Sequence, residues 1–147
     1  ALSSAASDVY KRQIIKNDQS LSDIKVMVVD DNQYNREIAC ELLRENGAHI
    51  IECASGSEAV DYIKYRNGIV DIILMDVCMP DMDGFEATRL IRQLEKDRWQ
   101  DIPIVAMTAN AFDEDRKKAL EHGMNGHIAK PFDIDTFAET VLEYVKY

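Results

Sequence analysis

Residues 71–92 read DIILMDVCMPDMDGFEATRLIR, and the first six of them decide the fold. Ile72 to Met75 are apolar without interruption and stop at a carboxylate, Asp76. A short continuous apolar run suits a strand buried on both faces, as in a parallel sheet covered by helices on each side. Pro80 and Gly84 then shape a turn, and Phe85 to Lys96 follow with Leu90, Ile91 and Leu94 at helical spacing. The unit is strand, loop, helix.

The same unit recurs outward in both directions. Val26–Val29, His49–Cys53, Ile104–Met107 and Gly126–Ala129 are the other expected strands. Asn35–Asn46, Ser57–Arg66, Asp113–His122 and Asp135–Tyr147 are the other expected helices, with Ile38, Leu42 and Leu43 as one buried stripe. Gly47, Gly68 and Gly123 stand where helices should stop, and Asp133 with Thr136 opens the last one. The fold expected is α/β, a doubly wound sandwich around a five-stranded parallel sheet with five helices.

Residues 1–22, ALSSAASDVYKRQIIKNDQSLS, have no sustained hydrophobic period and are expected to be a linker, an expression remnant or an assembly artefact, poorly ordered, leaving 23–147 as the domain. The 147 residues and 16.7 kDa suit one compact core. With 46% hydrophobic and 30% charged residues the chain is neither disordered nor fibrous. A net charge of −10 repels a phosphate backbone and speaks against nucleic acid as a partner. No apolar run approaches the ~20 residues of a membrane span, so a cytoplasmic location is the expectation. Cys40, Cys53 and Cys78 lack the paired spacing of a zinc site and read as reduced thiols.

In open parallel sheets ligands bind beyond the carboxyl ends of the strands. Asp30 and Asp31 follow the first strand, Asp76 the third, Thr108 the fourth, and Lys130 with Pro131 the fifth. Each alone has an ordinary explanation: a cap, a turn hydroxyl or a solvated charge. Together they say more. Three carboxylates on one rim repel unless a cation sits among them, and hard oxygen ligands with room for water suit Mg²⁺ or Mn²⁺. A cation, a carboxylate, a hydroxyl and an ammonium are the apparatus of phosphoryl transfer, with Asp76 as nucleophile forming an acyl phosphate. No GxxxxGK[ST] loop is present, so a nucleotide is not the obvious substrate.

VMVVDDNQYNREIACELLRENG (26–47), DIILMDVCMPDMDGFEATRLIR (71–92), IPIVAMTAN (102–110) and GHIAKPF (126–132) resemble, in order and spacing, the motifs of response-regulator receiver domains. DDNQYNRE and GHIAKPF look most like receivers of hybrid sensor histidine kinases. The resemblance covers about Ile24 to Tyr147 and implies a flavodoxin-like strand order of 2-1-3-4-5. It implies that Asp76 accepts a phosphoryl group from a histidine kinase or histidine phosphotransfer protein. Asp31, Asp76 and the Cys78 backbone carbonyl would ligate Mg²⁺, with Asp30 acting through water. Thr108 would turn toward the phosphoryl group, Lys130 would pair with it, and a cis bond would join Lys130 to Pro131.

Three positions vary within that family. His127 stands where a Tyr or Phe often swings inward with Thr108; it is smaller and titrates near neutrality, and an exposed strand side chain with no switching role is the bland alternative. Cys78 and Asn110 stand where side chains influence access of water to the acyl phosphate. Asp81-Met82-Asp83-Gly84 mimics the DxDG motif of haloacid-dehalogenase-like phosphatases, but the strand ends at Asp76, so the segment reads better as a loop in which Asp81 and Asp83 satisfy local backbone donors.

The function expected is a phosphoacceptor module that switches its partner-binding surface, not a turnover enzyme. The alternatives are a small phosphohydrolase acting through Asp76 or Asp81, and a phosphorylation-independent docking scaffold. Docking is expected on the first helix at Gln33, Tyr34 and Glu37, together with the loop after Lys130. A homodimer formed on phosphorylation is allowed. The chain would be a single-domain regulator or the excised end of a larger kinase.

Overall fold

The computed structural model describes residues 21–66, 69–94, 97–109, 113–133 and 135–146. The elements are β1 Lys25–Val29, α1 Gln33–Glu45, β2 His49–Cys53, α2 Gly56–Arg66, β3 Ile72–Asp76, α3 Gly84–Arg92, α4 Asp97–Asp101, β4 Ile104–Thr108, α5 Asp113–Glu121, β5 Gly126–Ala129 and α6 Phe137–Lys146. The strands form one sheet in the order β2-β1-β3-β4-β5, every pair parallel. This is the doubly wound arrangement expected from the sequence.

Alternation along the strands divides the core into two layers, because successive side chains point to opposite faces of the sheet. Met27, Val29, Ile73, Met75 and Ile104 pack with Ala59 and Ile63 of α2, Phe85 and Ile91 of α3, Trp99 of α4 and Ala119 of α5. Val26, Val28, Ile72, Leu74 and Met107 pack with Cys40 and Leu43 of α1 and Phe137 and Val141 of α6. All of β3 and β4 is buried, which explains why their sequences run apolar without a polar alternate. Burial of each such side chain stabilises by about 1.5–3 kcal/mol, so the centre of the sheet is its most robust part.

Helix ends follow local chemistry. The Asn32 side chain accepts from the Asn35 N–H at 3.1 Å and starts α1 two residues before the expected Asn35. Gly47 and Gly123 take φ of 89° and 95°, the left-handed geometry that stops a helix and that a Cβ disfavours. Gly68, expected in the same role, lies outside the described residues, as do residues 1–20 of the expected linker. Leu21 is fully buried and its N–H donates to the Asn46 carbonyl at 2.7 Å.

One expectation needs correction. The third helix was expected to continue to Lys96, giving five helices; α3 ends at Arg92 and the separate short α4 follows, giving six among the described residues. The cause is tertiary. Arg92 turns its guanidinium onto the carbonyls of Trp99 and Gly123, both at 3.0 Å, and onto Asn125 Oδ1 at 2.8 Å, while the Trp99 ring is buried to 2% exposure. Helical periodicity carries no trace of such an anchor. Among the described residues no helix is long and apolar enough to cross a membrane.

Candidate functional site

Asp30, Asp31, Asp76, Thr108 and Lys130 meet beyond the carboxyl ends of β1, β3, β4 and β5. The parallel register brings them there: β1 lies beside β3, β3 beside β4 and β4 beside β5, so one edge of the sheet collects all four strand ends. One carboxylate oxygen from each of Asp30, Asp31 and Asp76 lies within 4.8 Å of the others. Asp30 and Asp76 are buried, at 1% and 5% exposure, whereas Asp31 faces solvent. Lys130 Nζ stands 2.8 Å from Asp30 Oδ2 and 3.3 Å from Asp76 Oδ1.

Backbone donors complete the cradle. The Asn32 N–H donates to Asp30 Oδ1 at 2.9 Å, and the Cys78 N–H donates to Asp76 Oδ1 at 3.3 Å. The Lys130 N–H donates to the Thr108 carbonyl at 2.8 Å, tying the end of β5 to that of β4, and Thr108 is itself buried. The Lys130–Pro131 bond is cis, as the resemblance implied.

Burial raises the Asp76 carboxyl from its ordinary 3.8 to about 6; the Asp30 charge adds to the rise, and Lys130 with the Cys78 N–H opposes it. Burial would lower the Lys130 ammonium, but the hydrogen bond it donates to Asp30 and the charge of Asp76 outweigh it and hold the group above its ordinary value. A buried carboxylate kept reactive beside a fixed ammonium can attack an electrophile and keep the resulting charge compensated. The donor set also fits a hard cation: carboxylate oxygens, one of them on the exposed Asp31, where water would have room to complete coordination.

The remaining sequence-derived residues fall around this centre. His127 is half-buried on β5, and Arg116 Nε of α5 donates to its Nε2 at 3.0 Å. Burial, then the Arg116 charge, push its imidazole below the ordinary histidine value. Cys78 is exposed. Asn110 lies outside the described residues. Gln33, Tyr34 and Glu37 are exposed on α1, with Gln33 Nε2 donating to Glu37 Oε1 at 2.9 Å. Asp83 caps α3 by accepting from the Glu86 N–H at 2.8 Å, and among the described residues the acidic cluster contains neither Asp81 nor Asp83.

Two supporting residues escaped the sequence reading. Arg36 Nη1 donates to the Asp30 carbonyl at 2.7 Å, holding α1 to the rim, and nothing in its spacing announces this. Gly84 was read as shaping the turn at the start of the helix, yet a Cβ there would also fall on the Asp76 carbonyl oxygen and against Val77 Cα. A glycine directly after an acidic loop was the available signal for close backbone approach.

A doubly wound parallel sandwich that gathers carboxylates, a hydroxyl and a lysine at its strand ends defines a class of signalling domain. The chain belongs to the response regulator receiver domain family, whose sequence profile matches residues 26–142. It is 39% identical over 127 residues to the signal transduction histidine-protein kinase BarA of Escherichia coli K12, covering 86% of this chain and 13% of that one. It is 39% identical over 124 residues to hybrid signal transduction histidine kinase L of Dictyostelium discoideum, covering 83% of this chain and 7% of that one. The chain therefore spans a small part of the kinases it matches. Among solved structures, the receiver domain of a Pseudomonas aeruginosa PAO1 sensor histidine kinase, with a magnesium ion coordinated in its active-site cleft, superposes with a TM-score of 0.75. Identity is 33%, over 84% of this chain and 98% of that one.

Proposed function

We propose that Asp76 takes a phosphoryl group from a phosphohistidine on a histidine kinase or histidine phosphotransfer protein. The observation that supports this best is the buried Asp76 carboxylate, 3.3 Å from the Lys130 ammonium, on a rim shared with Asp30 and Asp31. An Asp76 oxygen attacks phosphorus, the P–N bond to the donor imidazole breaks, and the imidazole leaves with the bonding pair and takes up a proton. Water later cleaves the acyl phosphate and restores the carboxylate.

Lys130 neutralises one phosphoryl oxygen and Thr108 offers its hydroxyl to another. Asp31, Asp76 and the Cys78 carbonyl would hold Mg²⁺ or Mn²⁺, with Asp30 acting through water. Bound there, the cation supplies further neutralisation of phosphoryl charge. Cys78 and Asn110 set the access of water, and with it the lifetime of the acyl phosphate.

The donor docks on Gln33, Tyr34 and Glu37 of α1 and on the loop after Lys130. On phosphorylation Thr108 and His127 repack, and the face of α5, β5 and α6 changes its preference for partners, a second copy among them. The domain turns over no external substrate, works in the cytoplasm, and its parent is a hybrid histidine kinase. Nothing favours the phosphohydrolase reading through Asp81, which among the described residues lies outside the cluster of Asp30, Asp31 and Asp76.

Intact-protein mass after incubation with acetyl phosphate tests the reading. One phosphoryl adduct is expected with Mg²⁺, none with EDTA and none on an Asp76→Asn variant. An adduct persisting in that variant would overturn the choice of nucleophile.

A further inference from the structure

β2 is an edge strand: it pairs with β1, and its other side pairs with nothing among the described residues. The His49 N–H donates to the Ile24 carbonyl and the Cys53 carbonyl accepts from the Asp30 N–H. In a parallel ladder bonding alternates along the strand, so His49, Ile51 and Cys53 direct their backbone groups to β1, and Ile50 and Glu52 direct theirs outward. Open edges of this kind are commonly blunted with lysine, proline or a bulge. His49-Ile50-Ile51-Glu52-Cys53 contains no lysine or proline, and its pairing with β1 runs residue for residue without a bulge. The opposite edge differs: β5 is shorter, and the Tyr144 ring lies so close over Gly126 that a Cβ there would fall on the phenol.

The open edge lies between two acidic walls. On one side, β2 and α2 enclose an open trough of about 730 Å³ whose far wall carries Glu58, Asp61, Tyr62 and Tyr65. On the other, β2 and α1 enclose a second trough of about 730 Å³ against Glu41 and Glu45. Arg36 and Arg44 also stand on the α1 side, but both are directed onto Glu52, at 3.5 and 3.3 Å. The walls thus retain an excess of carboxylate, in a chain of net charge −10. Tyr65 is 72% exposed, with Lys64 Nζ standing over its ring at 5.3 Å from the centroid, and on this side Glu58 and Asp61 still outnumber that one cation.

We propose that the β2 edge is a docking strip for an extended polypeptide segment rich in lysine and arginine. Such a segment adds as a sixth strand through the outward backbone groups of Ile50 and Glu52. Its side chains alternate between faces, so one row meets the α1 carboxylates and the other meets Glu58 and Asp61. A second copy of this chain is the poorer occupant, because it would set one acidic trough against another. The inference is independent of phosphoryl chemistry at Asp76.

The test is fluorescence anisotropy of the intact chain with a fluorescein-labelled peptide of about ten residues repeating Arg-Lys-Val-Thr, and with the same peptide methylated at every backbone nitrogen. The unmodified peptide is expected to bind, and to bind at least about tenfold more weakly to a Glu41→Lys, Asp61→Lys double variant. The methylated peptide, equal in charge but unable to donate, is expected to lose at least about tenfold. Phosphoryl adduct formation by the double variant should match the parent. No binding would overturn the proposal, as would equal binding of the methylated peptide, which would reduce the effect to diffuse charge attraction. Self-association of the chain, abolished by the double variant, would overturn the choice of occupant.

Discussion

Replacing Asp76 with asparagine should stabilise the protein, although it removes the residue on which the proposed function rests. The folded state holds the Asp76 carboxyl at about 6 rather than 3.8, chiefly through burial and secondly through Asp30. The folded state therefore disfavours the ionised form. Below 3.8 the carboxyl is neutral in both states and costs nothing; as pH rises through 3.8 toward 6 the unfolded chain loses its proton first, and stability falls. At about 1.4 kcal/mol per pH unit, the accumulated cost is about 1 kcal/mol near pH 4.5 and about 3 kcal/mol near pH 7.5. Asparagine carries no charge at either pH, and its side-chain oxygen can still accept from the Cys78 N–H. Urea unfolding in EDTA should show the variant more stable by about 1 kcal/mol near pH 4.5 and by about 3 kcal/mol near pH 7.5. Saturating Mg²⁺ should narrow the gap, because a ligand that binds only the folded parent adds about 2.7 kcal/mol at a hundred times its Kd. A variant no more stable than the parent near pH 7.5, or a gap independent of pH, would refute the argument.

Other consequences are open to direct measurement. Lys130→Met leaves Asp30 and Asp76 without their ammonium, and adduct formation from acetyl phosphate should fall by about 10²–10³-fold, read by mass against time. Gly84→Ala should cost about 1–3 kcal/mol in urea unfolding, since the added methyl meets the Asp76 carbonyl and the backbone must move. A thiol reagent near pH 8 should modify one cysteine, Cys78, quickly and all three after denaturation. Burial, then the charge of Glu52 or Glu58, holds Cys40 and Cys53 up at about 12. The same rise predicts that each buried thiol withdraws about 1 kcal/mol of stability by about pH 10, as the unfolded chain ionises first, measurable as a falling urea midpoint that Cys53→Ala partly relieves.

Much of this molecule was legible in its sequence, for physical reasons visible in particular elements. β3 and β4 are buried on both faces, so their apolar runs are continuous and their ends unambiguous. The polar residue that closes each run falls on the one rim where a parallel sheet collects strand ends, which is why Asp30, Asp76, Thr108 and Lys130 could be named together. What escaped depends on contacts far apart in the chain. The break after Arg92 comes from its guanidinium reaching Trp99, Gly123 and Asn125. The tether from Arg36 to Asp30 is a side chain meeting a carbonyl across a turn, and the role of Gly84 is set by how near its helix comes to β3. Periodicity reports a face, not a neighbour.

The Lys130 to Asp30 ion pair joins residues 100 positions apart, and the strand that delivers Lys130 is the last to be made. During synthesis a growing chain can lay down β1 to β4, with Asp30, Asp31, Asp76 and Thr108 in place, before the ribosome releases the segment that carries the ammonium. A truncated or half-emerged chain thus holds the acidic rim without the cation that balances it. The rim is balanced in charge only once β5 has been made, so the order of synthesis sets the order in which its charges meet.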